Sequence, residues 1–182
     1  MRYGTHRLLL LVAVAEACLL MTRPAGGALQ QVRPPSQMGL AHFYYVGDNA
    51  AWESLSANIQ QVNLLSPVWF HVQEGAKLRI TIDPKVRQLA EQSGVPLMPV
   101  VVNEDFRLEA ARAAFQDPQR QELIQTLVRI TVAENFQGLQ LDFENIEPAD
   151  RDSYSQLAER LGVALRKHGK QLSVRLLRRG YG

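Results

Sequence analysis

Gly138-Leu139-Gln140-Leu141-Asp142-Phe143-Glu144-Asn145-Ile146 constrains the fold of this chain more than any other stretch. Leu139, Leu141 and Phe143 alternate with Gln140, Asp142 and Glu144, a period of two that sends the apolar and polar sets to opposite faces of a strand. On an exposed strand the polar face would simply be wet. Here helical spacing precedes and follows the stretch, and a strand between two helices belongs to a parallel sheet, normally covered on both sides. Polar side chains ending in two carboxylates on the inner face of such a strand need a reason, and an active site is the usual one.

The same rhythm runs through the rest of the chain. Residues 40–46, aromatic and β-branched, predict a first strand, which Gly47-Asp48-Asn49 breaks. Trp52, Leu55, Ile59 and Val62 fall at helical spacing. Residues 66–72 predict a second strand, with Pro67 near its start. Asp83-Pro84 combines an N-cap acceptor with proline at the first helical position. Val86, Leu89 and Ala90 form the stripe of that helix, and Gly94 closes it. The apolar run 95–102 predicts a buried third strand, in which Pro99 forfeits one ladder donor. Asp117-Pro118 repeats the helix-start signal, and Leu123, Ile124, Leu127 and Ile130 give the next helix a buried face as far as Glu134-Asn135. After residues 138–146, residues 150–168 predict a long amphipathic helix with Tyr154, Leu157, Leu161, Ala164 and Leu165 on one side. Arg166, Lys167 and His168 stand where the helix dipole favours cations, and Gly169 ends the helix. A fifth strand begins at Leu172-Ser173-Val174. This alternation suits a doubly wound open sheet or part of a (β/α) barrel. Val46-Gly47-Asp48-Asn49 lacks the G-x-G-x-x-G spacing, so a dinucleotide-binding fold has little support.

Charge excludes one class of partner. Twenty Lys and Arg against 18 Asp and Glu leave a formal +2, spread along the chain rather than striped, which argues against nucleic acid. The first residues differ from the rest. Arg2, His6 and Arg7 precede the apolar run Leu8 to Ala15, Leu19 to Met21 continue it beyond Glu16, and Gly26 and Ala28 supply small residues. Basic, apolar, then small is the order of a secretory signal peptide, here residues 1–28, and the run is too short and interrupted to span a membrane. Residues 29–37, with Pro34-Pro35, predict a linker before a domain over 38–182. Cleavage near Ala28 removes Cys18, the single cysteine. The mature chain then has no disulfide, thiolate metal site or cysteine nucleophile, and the expected location is secreted, cell-envelope or periplasmic, with no stable membrane anchor.

The stretch from Phe136 to Ile146 resembles the family 18 glycoside hydrolases, the chitinase-like (β/α) barrel enzymes, whose fourth strand carries D-G-x-D-x-D-x-E. Gln137-Gly138-Leu139-Gln140-Leu141-Asp142-Phe143-Glu144 keeps the last Asp and the Glu and replaces the two earlier aspartates by Gln137 and Gln140. The amide followed by Asp142-Phe143-Glu144-Asn145 is similar to the bacterial branch of spore-germination and cortex-lytic hydrolases, as are His42-Phe43-Tyr44-Tyr45 and Pro67-Val68-Trp69.

The resemblance implies an α/β fold, the N-terminal portion of a (β/α)8 TIM barrel. It implies cleavage of a β-linked N-acetylglucosamine polymer, peptidoglycan or chitin, with no cofactor and no metal. Glu144 would protonate the glycosidic oxygen while the sugar's own N-acetyl oxygen attacks the anomeric carbon, so no second catalytic carboxylate is needed. Asp142 would orient and polarise the N-acetyl group. Gln140, which can hydrogen-bond Asp142 but cannot take its proton, is expected to alter the pH profile. From pattern alone, Asp142 and Glu144 also fit a solvated strand or a divalent-ion pair. Tyr44 fits a sugar contact or the core, and Trp69 a stacking platform or the core. Asn103 fits a ligand contact at the rim or a turn at the strand end. His42, His71 and His168 lack metal-ligand spacing.

A complete barrel takes about 250 residues and eight strands, against about five strands here. The chain is therefore expected to be an N-terminal or frame-disrupted piece of a longer hydrolase, inactive and aggregation-prone when expressed alone. A non-catalytic glycan-binding or degenerate barrel is the alternative.

Overall fold

The elements follow the turn signals closely in a computed structural model that describes residues 42–176. The predicted signal peptide, the linker and the tail from residue 177 lie outside the described residues. The strands are β1 (His42–Tyr45), β2 (Leu64–Val72), β3 (Leu78–Ile80), β4 (Val100–Asn103), β5 (Gly138–Asp142) and β6 (Gln171–Val174). The helices are α1 (Asn49–Asn58), α2 (Pro84–Ser93), α3 (Leu108–Ala113), α4 (Gln119–Ala133) and α5 (Arg151–Arg166).

Caps explain several boundaries. The Asp83 carboxylate accepts from the backbone N–H of Lys85 at 2.8 Å, Pro84 takes the first turn, and Gly94 closes α2 at φ 65°. The Asp48 side chain accepts from Ala51 N–H and starts α1 in the same way.

Five strands run parallel in the order β1-β2-β4-β5-β6, with β3 antiparallel to the end of β2 beyond β1. The sheet is mixed only at that hairpin and is not closed: it is part of a (β/α) barrel. Its outer face packs on the helices. Leu139, Leu141 and Phe143 share one core with Leu55, Val86, Leu123, Leu127, Leu157, Leu161 and Leu165, each buried leucine contributing about 1.5–3 kcal/mol. At Gly138 the backbone passes so close to β6 that a Cβ would lie 2.0 Å from the Gln171 carbonyl oxygen. Only glycine fits there.

A bulge in β2 settles the direction of two aromatics. Pairing with β4 passes from Val68–Val100 to Phe70–Val101, so Trp69 is the extra residue. Trp69 and Phe70 therefore both reach the helix side, where their rings meet Phe136 at 6.0 and 6.2 Å. His71, next along, returns to the inner side.

The structure corrects some boundaries. The predicted strand over 95–102 becomes Val100–Asn103, with Leu97 making only an isolated bridge to Leu65, because Pro96 and Pro99 bring no N–H to a ladder. Asp117 does not cap α4; its carboxylate instead binds Arg120 and Arg160. β5 ends at Asp142 rather than running on through Glu144. Strand β3 and helix α3, both too short for a periodic signal, were not predicted from the sequence.

Candidate active site

Register assembles the site. Gln140 stands beside Val100 of β4 and Ser173 of β6, and Asp142 beside Val102. Period two then puts Gln140 and Asp142 on the inner face and Leu139 and Leu141 on the outer, as the alternation predicted. One residue past β6, Arg175 N–H donates to the Leu141 carbonyl at 2.9 Å and prolongs the ladder. That places Arg175 alongside Asp142.

Asp142 is buried, its side chain 1 % exposed. One oxygen, Oδ2, accepts the Tyr44 hydroxyl at 2.8 Å and the Arg175 guanidinium at 2.9 Å. The other, Oδ1, is buried with no hydrogen-bond partner, and so is the Gln140 Oε1. A buried acceptor without a donor is costly, and both of these belong to the inner face of β5. The guanidinium lies over the Tyr44 ring at 5.3 Å and is 3.8 Å from the Glu144 carboxylate. Burial, then the hydrogen bond to Asp142, push the Tyr44 phenol far above the usual tyrosine range. The bond to Asp142 likewise raises Arg175 and keeps it cationic.

Glu144 leaves the strand but is held firmly. Asn103, at the end of β4, accepts from its backbone N–H at 2.9 Å and donates to its carbonyl at 3.1 Å, with a further bond to the Arg107 carbonyl at 2.9 Å. Asn145 then turns the chain at φ 58°, a conformation asparagine tolerates, and its amide donates to the Phe106 carbonyl. The Glu144 side chain stays 24 % exposed, accessible to a ligand.

A cavity of about 870 Å³ is lined by Tyr44, Asn103, Gln140 and Arg175 together with His71 and Arg79; Asp142 and Glu144 touch this lining through Tyr44, Arg175 and Asn103 rather than belonging to it. The Arg79 charge is paired with Glu104. His42, also at the mouth, bonds the buried Ser66 hydroxyl at 2.6 Å.

Of the residues singled out from the sequence, Tyr44, Asn103, Gln140, Asp142 and Glu144 therefore come together. Trp69 does not. It is 2 % exposed against Phe136 on the helix side, which leaves no ring face for a sugar. Among the described residues no group of three His, Cys, Asp or Glu could hold a metal ion.

Two roles escaped the sequence. Asn103 grips the backbone that carries Glu144, which no spacing reveals. Arg175 belongs to the site although the sequence assigned nothing beyond a strand beginning at Leu172-Ser173-Val174. The available signal was the alternation Leu172, Ser173, Val174, Arg175, which repeats the apolar and polar parity of β5.

No protein-family model matches the sequence, and no curated protein matches it. Solved structures do. A chitinase from Chromobacterium violaceum is 20 % identical with a TM-score of 0.67, covering 74 % of this chain and 44 % of its own. A class V chitinase from Pseudomonas fluorescens gives 23 %, 0.67, 74 % and 44 %. The spore cortex-lytic enzyme of Bacillus megaterium gives 21 %, 0.66, 73 % and 33 %. The chain thus spans a third to under half of the length of these proteins, and at such identities the likeness is one of fold. It agrees with the resemblance in residues 136–146: the chain carries part of the (β/α) barrel fold of chitinases and cortex-lytic enzymes, with its sheet left open.

Proposed function

We propose that this chain carries the acid-bearing strand of an exported glycoside hydrolase that cleaves β-linked N-acetylglucosamine polymers, peptidoglycan or chitin, by substrate-assisted catalysis. The supporting observation is the Asp142–Glu144 pair beyond the C-terminal end of a parallel strand, where (β/α) barrels hold their active sites. Asp142 is pinned through Oδ2 while Oδ1 stays unpartnered. In this reading Oδ1 accepts the N–H of the substrate's acetamido group and turns the acetamido oxygen toward the anomeric carbon. That oxygen attacks as the glycosidic C–O bond breaks, and Glu144 gives its proton to the departing oxygen. Water then opens the cyclic intermediate and returns a proton to Glu144. Tyr44 and Asn103 act on the protein side of this arrangement, holding the Asp142 oxygen and the Glu144 backbone; Gln140 faces the substrate.

The test is release of new reducing ends from chitin oligosaccharides and from purified peptidoglycan, with Glu144→Gln as control. Hydrolysis that disappears in the variant while glycan binding persists supports the proposal. A parent chain that binds glycan without cleaving it supports the second reading, a non-catalytic glycan-binding barrel. One observation favours that alternative: the Arg175 guanidinium stands between the two carboxylates.

A further inference from the structure

Asp142 poses an electrostatic problem that the sequence motif does not solve. A carboxylate with 1 % of its side chain exposed needs close partners to offset its burial. Its neighbour on the inner face, Gln140, has no charge to offer and no proton to share. The groups around Asp142 are the Tyr44 phenol from β1, Glu144 beyond β5, Tyr154 from α5, and Arg175 beyond β6, with His71 from β2 across the cavity. The two phenols are held neutral by burial, and Glu144 brings no positive charge. Arg175 is the one cation in contact with Asp142 among the described residues, at 2.9 Å, braced against the Tyr44 ring.

We propose that Arg175 is the positioning residue and counter-ion of the carboxylate pair, supplying from β6 the compensation that Gln140 cannot. It fixes Oδ2 so that Oδ1 alone faces the substrate. This role rests on the glycosidase reading for its catalytic consequence, though not for the ion pair itself. The rest of the fold makes the assignment specific. Arg112 is taken up by Glu147 and Asp150, and Arg120 and Arg160 by Asp117, all remote from the cavity lining.

Two variants of the full chain separate charge from packing. Arg175→Gln keeps a polar amide, on a shorter side chain, and removes the charge; Arg175→Lys keeps the charge and loses the planar fork. Arg175→Gln is expected to lower kcat/KM for an N-acetylglucosamine oligomer about ten- to a hundredfold. The loss is expected in kcat rather than in KM, because Arg175 acts by holding Asp142. Arg175→Lys is expected to recover most of that loss. Equal losses in both variants, or an undiminished kcat in Arg175→Gln, would overturn the role.

A second readout needs no turnover. Nitrogen-15 spectra of the Arg175 guanidinium should show hindered rotation that disappears in Asp142→Asn and survives in Glu144→Gln. An Arg175 signal indifferent to Asp142→Asn overturns the ion pair. A parent chain that hydrolyses nothing while this signal behaves as expected overturns the glycosidase reading alone and leaves the pair standing.

Discussion

The two faces of β5 differ by a single residue step and by almost everything else. Leu139, Leu141 and Phe143 enter a core shared with α1, α2, α4 and α5, where they contribute by buried area. Gln140 and Asp142 are also buried, yet their surroundings are a phenol, a guanidinium and a cavity, and two of their oxygens have no donor. Burial therefore does not distinguish the faces; chemistry does. The packed face holds one buried oxygen without a partner, the Tyr154 hydroxyl, amid apolar side chains, while the polar face gathers two beside a charged cluster. A strand can carry both because its alternation isolates them, and the core absorbs the cost of the polar side.

The sharpest way to break that comparison is to change each face and ask which property moves. Under the proposed hydrolase function, Glu144→Gln should reduce hydrolysis about 10²- to 10⁴-fold and leave the melting temperature nearly unchanged, since the side chain is 24 % exposed and makes only a 3.8 Å approach to Arg175. Leu141→Ala, one strand position from Asp142 and 1 % exposed, should do the reverse. It is expected to cost about 2–5 kcal/mol in denaturant unfolding, with activity per folded molecule largely retained. A Glu144→Gln variant that melts much earlier would mean that the polar face also carries stability.

Asn103→Ala lies between the two kinds. It leaves the backbone N–H and carbonyl of Glu144 without their side-chain partner, at about 1–3 kcal/mol, and it loosens the segment that carries the acid. A loss of kcat larger than any change in KM, together with that modest destabilisation, would mark Asn103 as the joint between the faces. Retained kcat would show that the Asn145 turn alone places Glu144.

These differences also decide how much was legible beforehand. Leu139 to Glu144 could be sorted into faces because alternation depends on the pleat alone, and Asp83-Pro84 with Gly94 could bound α2 because caps are local chemistry. Trp69 could not be placed, since a single extra residue in β2 reverses the parity of every later residue in that strand, and nothing in Pro67-Val68-Trp69 announces it. Asp117 carried a helix-start signal, but Arg160, 43 residues on, competes for its carboxylate. Arg175 was hidden for a related reason. Its meaning comes from the neighbouring strand, where Leu141 pairs with Val174 and so brings Asp142 within reach. Local pattern gives faces and ends; partners across the sheet come from register.

The smallest expected effects concern pH, and here the faces should fail at opposite ends. On the packed side Tyr154 stacks on Phe143 at 5.9 Å, and burial pushes its phenol from 10.0 up to about 12. The unfolded chain ionises this group first, so its contribution is intact below pH 10.0 and is lost as pH rises toward about 12. On the polar side, burial holds the His42 and His71 imidazoles below 6.5. The unfolded chain then binds protons first, so stability is intact above pH 6.5 and falls as pH drops through the lower folded values. Melting temperature against pH should decline at both ends. His42→Gln and His71→Gln are expected to flatten only the acid side. Tyr154→Phe should flatten only the alkaline side, and only in part, because Tyr44 acts there in the same direction. An alkaline decline unchanged in Tyr154→Phe would mean that water already reaches the phenol, and that the packed face stops short of the Phe143 stack.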